Sequence, residues 1–164
     1  MPNPPFDSGQ FRTVLGHFLS GVTVISAIDP ETKRPVGMAV GSFTSVSLDP
    51  PLVAFLPSHT ASAWAAIKAS GSFCVNMLAS DQESVSRVFS SKVDDRFVGL
   101  GWTPTSNTGS PRLDGALAWI DCHIDAIHEA GDHLIVVGAV AALGASSEGS
   151  PLAYYRGGYG RFEQ

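Results

Sequence analysis

A chain of 164 residues, 44% hydrophobic and only 15% charged, is long enough to bury a real core, and a mean hydropathy of +0.14 suggests that some apolar surface is buried between subunits. A net charge of −5 with a pI near 5.4 argues against a nucleic-acid partner, and no basic run suggests an anionic membrane. No apolar run reaches the ~20 residues that cross a bilayer, and the opening Met1-Pro2-Asn3-Pro4-Pro5-Phe6-Asp7 lacks the features of a signal peptide, so one cytoplasmic domain spanning 1–164 is expected.

In chain order, Asp7 or Ser8 can cap a helix that sets Phe11, Val14, Leu15 and Phe18 on one face, with Gly21 to stop it. His17 lies beside that face and reads as a packing or surface residue. Residues 22–28 are a β-branched strand, 29–35 a polar turn, and Val36 begins a second strand, so the three make a hairpin. From Gly37 to Ser47 the chain is rich in small and hydroxyl residues. If extended, it places Ser42, Thr44, Val46 and Leu48 on one face and Phe43, Ser45 and Ser47 on the other. Such a strand either offers open backbone groups to a flat polar ligand or simply has a polar outer face. Asp49-Pro50-Pro51 then turns into residues 52–56, which read as a fully buried strand.

Ser58 or Thr60 can cap a second helix, with Trp64 and Ile67 inward and Gly71 at its end. Ser58, His59, Thr60 and Ser62 at that start serve either as caps alone or as a phosphate site. Residues 72–78 are a strand, and Ser80 to Glu83 form a capping box for a third helix carrying Val85, Val88 and Phe89. Lys92 or Arg96 beyond it is either solvated surface or a cation for a phosphate. Residues 99–115 read as a long irregular loop carrying Trp102. Residues 117–127 alternate, with Ile120, Cys122, Ile124 and Ala126 on one face and Trp119, Asp121, His123 and Asp125 on the other. That alternation parts Cys122 from His123, and no metal site is expected there. Cys74 and Cys122, both in apolar runs, read as buried reduced thiols. Gly131-Asp132-His133 makes a tight turn into an apolar strand over 134–143.

Frequent glycine turns between strands, with three short helices, indicate a mainly β fold built as a closed or half-open barrel. No Gly-x-Gly-x-x-Gly follows a strand, which argues against a Rossmann domain, and no Gly-x-Ser-x-Gly supports a serine hydrolase. The sequence likewise shows no carboxylate pair and no cysteine nucleophile motif.

Gly37-Met38, the run Ser42-Phe43-Thr44-Ser45-Val46-Ser47-Leu48-Asp49-Pro50-Pro51-Leu52-Val53, Gly131-Asp132-His133 and Tyr155-Arg156-Gly157-Gly158-Tyr159 together resemble the short-chain flavin reductases, over nearly the whole chain. The resemblance implies an FMN-binding split β-barrel that holds flavin at a homodimer interface. It also implies an NAD(P)H:flavin oxidoreductase that reduces FMN, FAD or riboflavin and supplies a separate monooxygenase component. By the same resemblance, Ala39, Val40, Gly41, Ser42, Phe43, Ser45 and Val46 run along the isoalloxazine edge, and Ser58, His59, Thr60 and Ser62 hold the phosphate and ribityl chain. Phe89, Ser90, Ser91 and Lys92 contact flavin from a loop, His133 faces the nicotinamide, and Tyr155, Arg156, Gly157, Gly158 and Tyr159 close over the reduced nucleotide. The chain departs from many relatives in having Val40 and Gly41 where Asn or Ser is common, and it ends at Gln164 without the longer tail that tunes nucleotide preference. The rival readings are a non-catalytic flavin-binding barrel, or an oxidase of a phosphorylated vitamin like the pyridoxamine-phosphate oxidases. The latter would want a basic cluster, which this sequence lacks.

Overall fold

The computed structural model describes residues 5–162. Helix α1 (Ser8–Leu15) is followed by strands β1 (Ser20–Gly21), β2 (Thr23–Ile28), β3 (Pro35–Val40), β4 (Thr44–Leu48) and β5 (Pro51–Phe55). Then come α2 (Trp64–Ser70), β6 (Ser72–Met77), α3 (Glu83–Phe89), β7 (Trp102–Pro104) and β8 (Pro111–Leu113). Two long strands, β9 (Ala118–Ala130) and β10 (His133–Ala145), lead to a final ribbon of β11 (Leu152–Tyr155) and β12 (Gly158–Arg161). The architecture is mainly β with three short helices, as the residue pattern suggested. Among the described residues, no helix is long and apolar enough to cross a membrane.

The shape of the main sheet follows from how its edges are joined. Seven strands pair in the order β3-β2-β6-β9-β10-β5-β4, so β3 and β4 are its edges. Only Gly41, Ser42 and Phe43 lie between those edges in the chain. A connection that short spans at most ~14 Å. Seven flat strands at ~4.8 Å spacing would hold the edges ~29 Å apart. The sheet therefore curls into a barrel, split where β3 and β4 meet without pairing. Register shifts in β10, between Val137 and Gly138 and between Val140 and Ala142, supply local bends of the kind that close barrels.

Inside the curl, Ile25, Phe55, Phe73, Val75, Cys122 and Val136 are fully buried. Phe55 meets Phe73 edge-on at 5.0 Å, and Trp64 and Ile67 of α2 plug the same core. Gly138 is required there, because a Cβ at that position would lie 2.5 Å from the Phe73 ring. A second cluster, of Val24, Leu78, Phe89 and Leu152, packs on the outer side of β2.

Several expectations need correction. Helix α1 is capped by Asp7 in a reciprocal box with Gln10, but it stops at Leu15 with Gly16 as its C-cap rather than at Gly21. Ser20 and Gly21 are instead drawn into β1, paired with Tyr154 and Ala153. Neither Ser58 nor Thr60 caps α2, which begins only at Trp64 and has no side-chain cap; their hydroxyls pair with each other at 3.1 Å. The capping box expected at Ser80 is also absent, because Gln82 is the N-cap of α3 and its side-chain Oε1 accepts from the Ala79 N–H. The stretch over 99–115 is not irregular throughout: β7 and β8 pair across a turn closed by Thr105 N–H to the Ser110 carbonyl, 2.9 Å. The alternation through β4 breaks at a register shift between Ser45 and Ser47, and only the second half of β5 is buried. In β9 both Asp121 and Cys122 are fully buried, against the expected alternation, because Thr108 from the β7–β8 turn donates its N–H (3.1 Å) and its hydroxyl to the Asp121 carboxylate. Cys74 and Cys122 are free buried thiols, and removal from water pushes both up to about 12.

Candidate functional site

Three strand ends converge at the open side of the barrel. β3 delivers Met38, Ala39, Val40 and Gly41, the exit of β5 delivers Leu56, Pro57 and Ser58, and the start of β10 delivers His133. Backbone bonds fix the convergence: Leu134 N–H donates to the Pro57 carbonyl at 2.9 Å, His59 N–H to the Asp132 carbonyl at 3.2 Å, and Ser58 bridges His133. Ser42 ties the β3–β4 connection to the same place, its hydroxyl accepting from Leu56 N–H (3.1 Å) and donating to the Leu56 carbonyl (3.3 Å). The cavity these residues wall has a volume of about 710 Å³, with Phe11 and Leu15 of α1 over one side and Phe89 and Ser90 at another.

One cation is built into its wall. Arg96 donates to the Gly37 carbonyl (2.8 Å), the Ser62 hydroxyl (3.0 Å) and the Ser91 carbonyl (2.7 Å). Its Nε is buried and has no hydrogen-bond partner within the protein. A buried donor left unsatisfied is costly, so this atom is a natural contact for an incoming acceptor. Gly37 makes the arrangement possible, since a Cβ there would strike the Ile25 carbonyl and the Phe89 ring at 2.8 Å. Gly41 is similarly tight, a Cβ falling 3.0 Å from the Ser20 hydroxyl. The lining thus combines small residues that leave backbone groups open, hydroxyls at Ser58 and Ser62, and a guanidinium. That donor set fits a flat polar ring carrying a phosphate.

The imidazole at the lip is oriented. His133 Nδ1 lies 2.8 Å from an Asp132 carboxylate oxygen, which leaves Nε2 as the other polar edge of the ring. The hydrogen bond and charge of His133 hold the exposed Asp132 carboxyl below its usual value. Beside it His59 Nε2 faces Glu129 at 3.2 Å, so His59 is engaged away from the cavity lining.

The sequence-selected residues divide into groups. Ala39, Val40, Gly41, Ser42, Ser58, Ser62, Phe89, Ser90 and His133 come together around the cavity. Thr60, Ser62 and Lys92 line a neighbouring one. Phe43 packs against the barrel core, and Ser45 and Val46 lie exposed on the edge strand β4. Ser91 supplies a carbonyl to Arg96. Tyr155, Arg156, Gly157, Gly158 and Tyr159 form the β11–β12 hairpin, whose turn uses positive φ at Arg156 (49°) and Gly157 (82°). That hairpin is anchored by Arg156 N–H to the Gly16 carbonyl (3.0 Å) and by the Tyr159 hydroxyl to Ser86 (2.9 Å). Tyr159 and Tyr154 line a cleft of about 220 Å³ that shares Ala39, Val40, Gly41 and Ser90 with the main cavity. Sequence reasoning passed over Phe11, Leu15, Met38, Leu56, Pro57, Ala61 and Ala130, and gave Arg96 no firm role. Only Arg96 carried a readable signal, a cation following the Phe89–Lys92 run.

Comparison with known proteins places these features in context. Residues 15–163 match the family model described as a flavin reductase like domain. The chain is 51% identical over 156 residues to a flavin reductase of Pseudomonas putida, covering 95% of this chain and 91% of that protein. It is 49% identical to the reductase subunit HsaB of a flavin-dependent monooxygenase from Rhodococcus jostii, covering 93% and 77%. Among solved structures it is similar to nitrilotriacetate monooxygenase component B from Mycobacterium thermoresistibile, with a TM-score of 0.91, 46% identity, and coverage of 96% and 87%.

Proposed function

We infer from one premise, that this chain belongs to the flavin reductase family, how its cavity serves the family's reaction. The protein is an NAD(P)H-dependent flavin reductase. It takes flavin and a reduced pyridine nucleotide as substrates. When bound, the flavin supplies the hydride-accepting centre, and the polypeptide supplies position and exclusion of water.

The residue roles are the reading we add. Backbone groups of Ala39, Val40, Gly41 and Ser42 lie along the ring, and Ser58, Ser62 and Arg96 receive the phosphate end. Ser90 bounds the same cavity from α3. His133, held by Asp132, presents Nε2 toward the nicotinamide carboxamide and restricts the orientations open to it. Tyr159, which shares a cleft with Ala39, Val40 and Gly41, is set with its hairpin to cover a nucleotide lying over the ring. The reduced flavin passes to a separate monooxygenase component, as the names of its reductase-subunit relatives suggest. A homodimer covers the apolar residues of the N-terminal arm, where Phe11, Val14, Leu15 and Phe18 are all at least half exposed.

The observation that carries this reading is the cavity itself, which joins open backbone at β3, a half-buried guanidinium whose Nε is enclosed and unpartnered, and an oriented imidazole. Purified protein mixed with NADH or NADPH consumes the nucleotide only when FMN, FAD or riboflavin is added. Failure to consume either nucleotide with all three flavins defeats the reading.

A further inference from the structure

The turn that carries His133 is fastened from two sides. The exit of β5 holds it through the backbone, by Leu134 N–H to the Pro57 carbonyl and by the bridge between Ser58 and His133. A pair of side chains holds it as well: His59 Nε2 faces a carboxylate oxygen of Glu129 at 3.2 Å, and Glu129 stands opposite Leu134 in the β9–β10 register. His59 joins the two fastenings. Its N–H donates to the Asp132 carbonyl at 3.2 Å, and the Asp132 carboxylate is the group that holds His133 Nδ1. We propose that Glu129 and His59 form a clasp that positions His133 for hydride transfer, so that both are positioning residues although neither lines the cavity; this rests on the role given to His133 above.

The tip of the turn needs such a tie. Gly131 has positive φ (68°) with nothing close to where a Cβ would lie, and Asp132 and His133 are both exposed. A tip with so few packed neighbours is held by what secures its base. Ala130 and His133 form the pair of residues that closes the turn, and the clasp acts on the next pair back. Any movement there carries Asp132 and the imidazole with it, and a displacement of about 1 Å at an orienting group is enough to slow a reaction. The charges agree with the geometry: the hydrogen bond and charge of His133 chiefly hold the Asp132 carboxyl below its ordinary value, and His59 pulls in the same direction. The Glu129 and His59 side chains are 80% and 42% exposed, and exposed ion pairs are weak, so a few-fold effect is expected rather than loss of activity.

The test is single-turnover bleaching of flavin by NADH at saturating flavin. Glu129→Gln and His59→Ala should each slow it by about 2–5-fold, with flavin affinity and melting midpoint little changed. The two together should slow it no more than either alone, because they break the same tie. His59→Lys, which keeps a cation facing Glu129, should recover most of the native rate. The deciding comparison is Glu129→Gln in a His133→Ala background, where the clasp has no imidazole left to position and no further slowing is expected. A general structural role would slow both backgrounds alike. Native rates in both single variants, or equal slowing in both backgrounds, overturn the clasp and leave the role of His133 intact. A His133→Ala variant that bleaches flavin at the native rate defeats that role and the clasp together.

Discussion

The barrel interior and the N-terminal arm carry equally clear apolar patterns and meet opposite fates. Phe55 and Phe73 are sealed between strands with no exposed surface, while Phe11, Val14, Leu15 and Phe18, on or just beyond a well-capped helix, keep 51%, 69%, 54% and 77% of theirs. Amphipathic spacing therefore shows that a face will be covered but not by what. The interior is covered by its own chain, because a seven-stranded sheet with a short edge-to-edge connection has to close on itself. The arm keeps its apolar face open in the protomer, and half of that face, Phe11 and Leu15, also borders the cavity at the open side of the barrel.

Substitutions can break this contrast in graded steps. The largest effect belongs to the interior: Phe73→Ala should cost about 3–5 kcal/mol of unfolding free energy, measured by denaturant titration, because it empties a ring-sized space at the barrel centre. Gly138→Ala should cost about 1–3 kcal/mol for the converse reason, pressing a methyl group into that same ring. On the arm, Val14→Glu combined with Phe18→Glu should leave the melting midpoint of the protomer little changed but shift sedimentation from dimer to monomer. An unaltered sedimentation profile would mean that this face is not the interface.

The buried thiols sharpen the contrast on the interior side. Cys74 and Cys122 should be unreactive toward a thiol reagent in the native state and both react once the protein is unfolded. Their raised folded pKa of about 12, against an ordinary value of 9.0, means that their contribution to stability is fully present below pH 9 and is lost as pH climbs toward 12. Asp132 has the opposite sign and a smaller effect. Its depressed carboxyl favours the folded state above its ordinary value of 3.8, and that contribution is lost as pH falls below it.

Much of this fold was legible in the residue pattern. The β2–β3 hairpin, the strands over 72–78 and 134–143, and the inward Trp64 and Ile67 all rest on periodicity or turn chemistry that tertiary contacts reinforce. What escaped was set by long-range partners. Ser20 and Gly21 became a strand only because β11 returns beside them, and Asp121 could be buried only because Thr108 arrives to satisfy it. The site divides in the same way. Ser42 and His133 sit on motifs and Ala39, Val40 and Gly41 lie in the small-residue stretch between two of them, whereas Phe11 and Leu15 reach the cavity from a helix far off in sequence, and Arg96 matters through its three acceptors rather than through any local pattern.

In the proposed reading, the imidazole of His133, fixed beside the cavity, governs use of the nicotinamide. Its most direct test is the rate of flavin bleaching in an anaerobic single turnover, comparing the native protein with His133→Ala at matched flavin saturation. This substitution should slow bleaching by about 10–100-fold with NADH while flavin affinity changes less than ~2-fold. A rate equal to that of the native protein would contradict it.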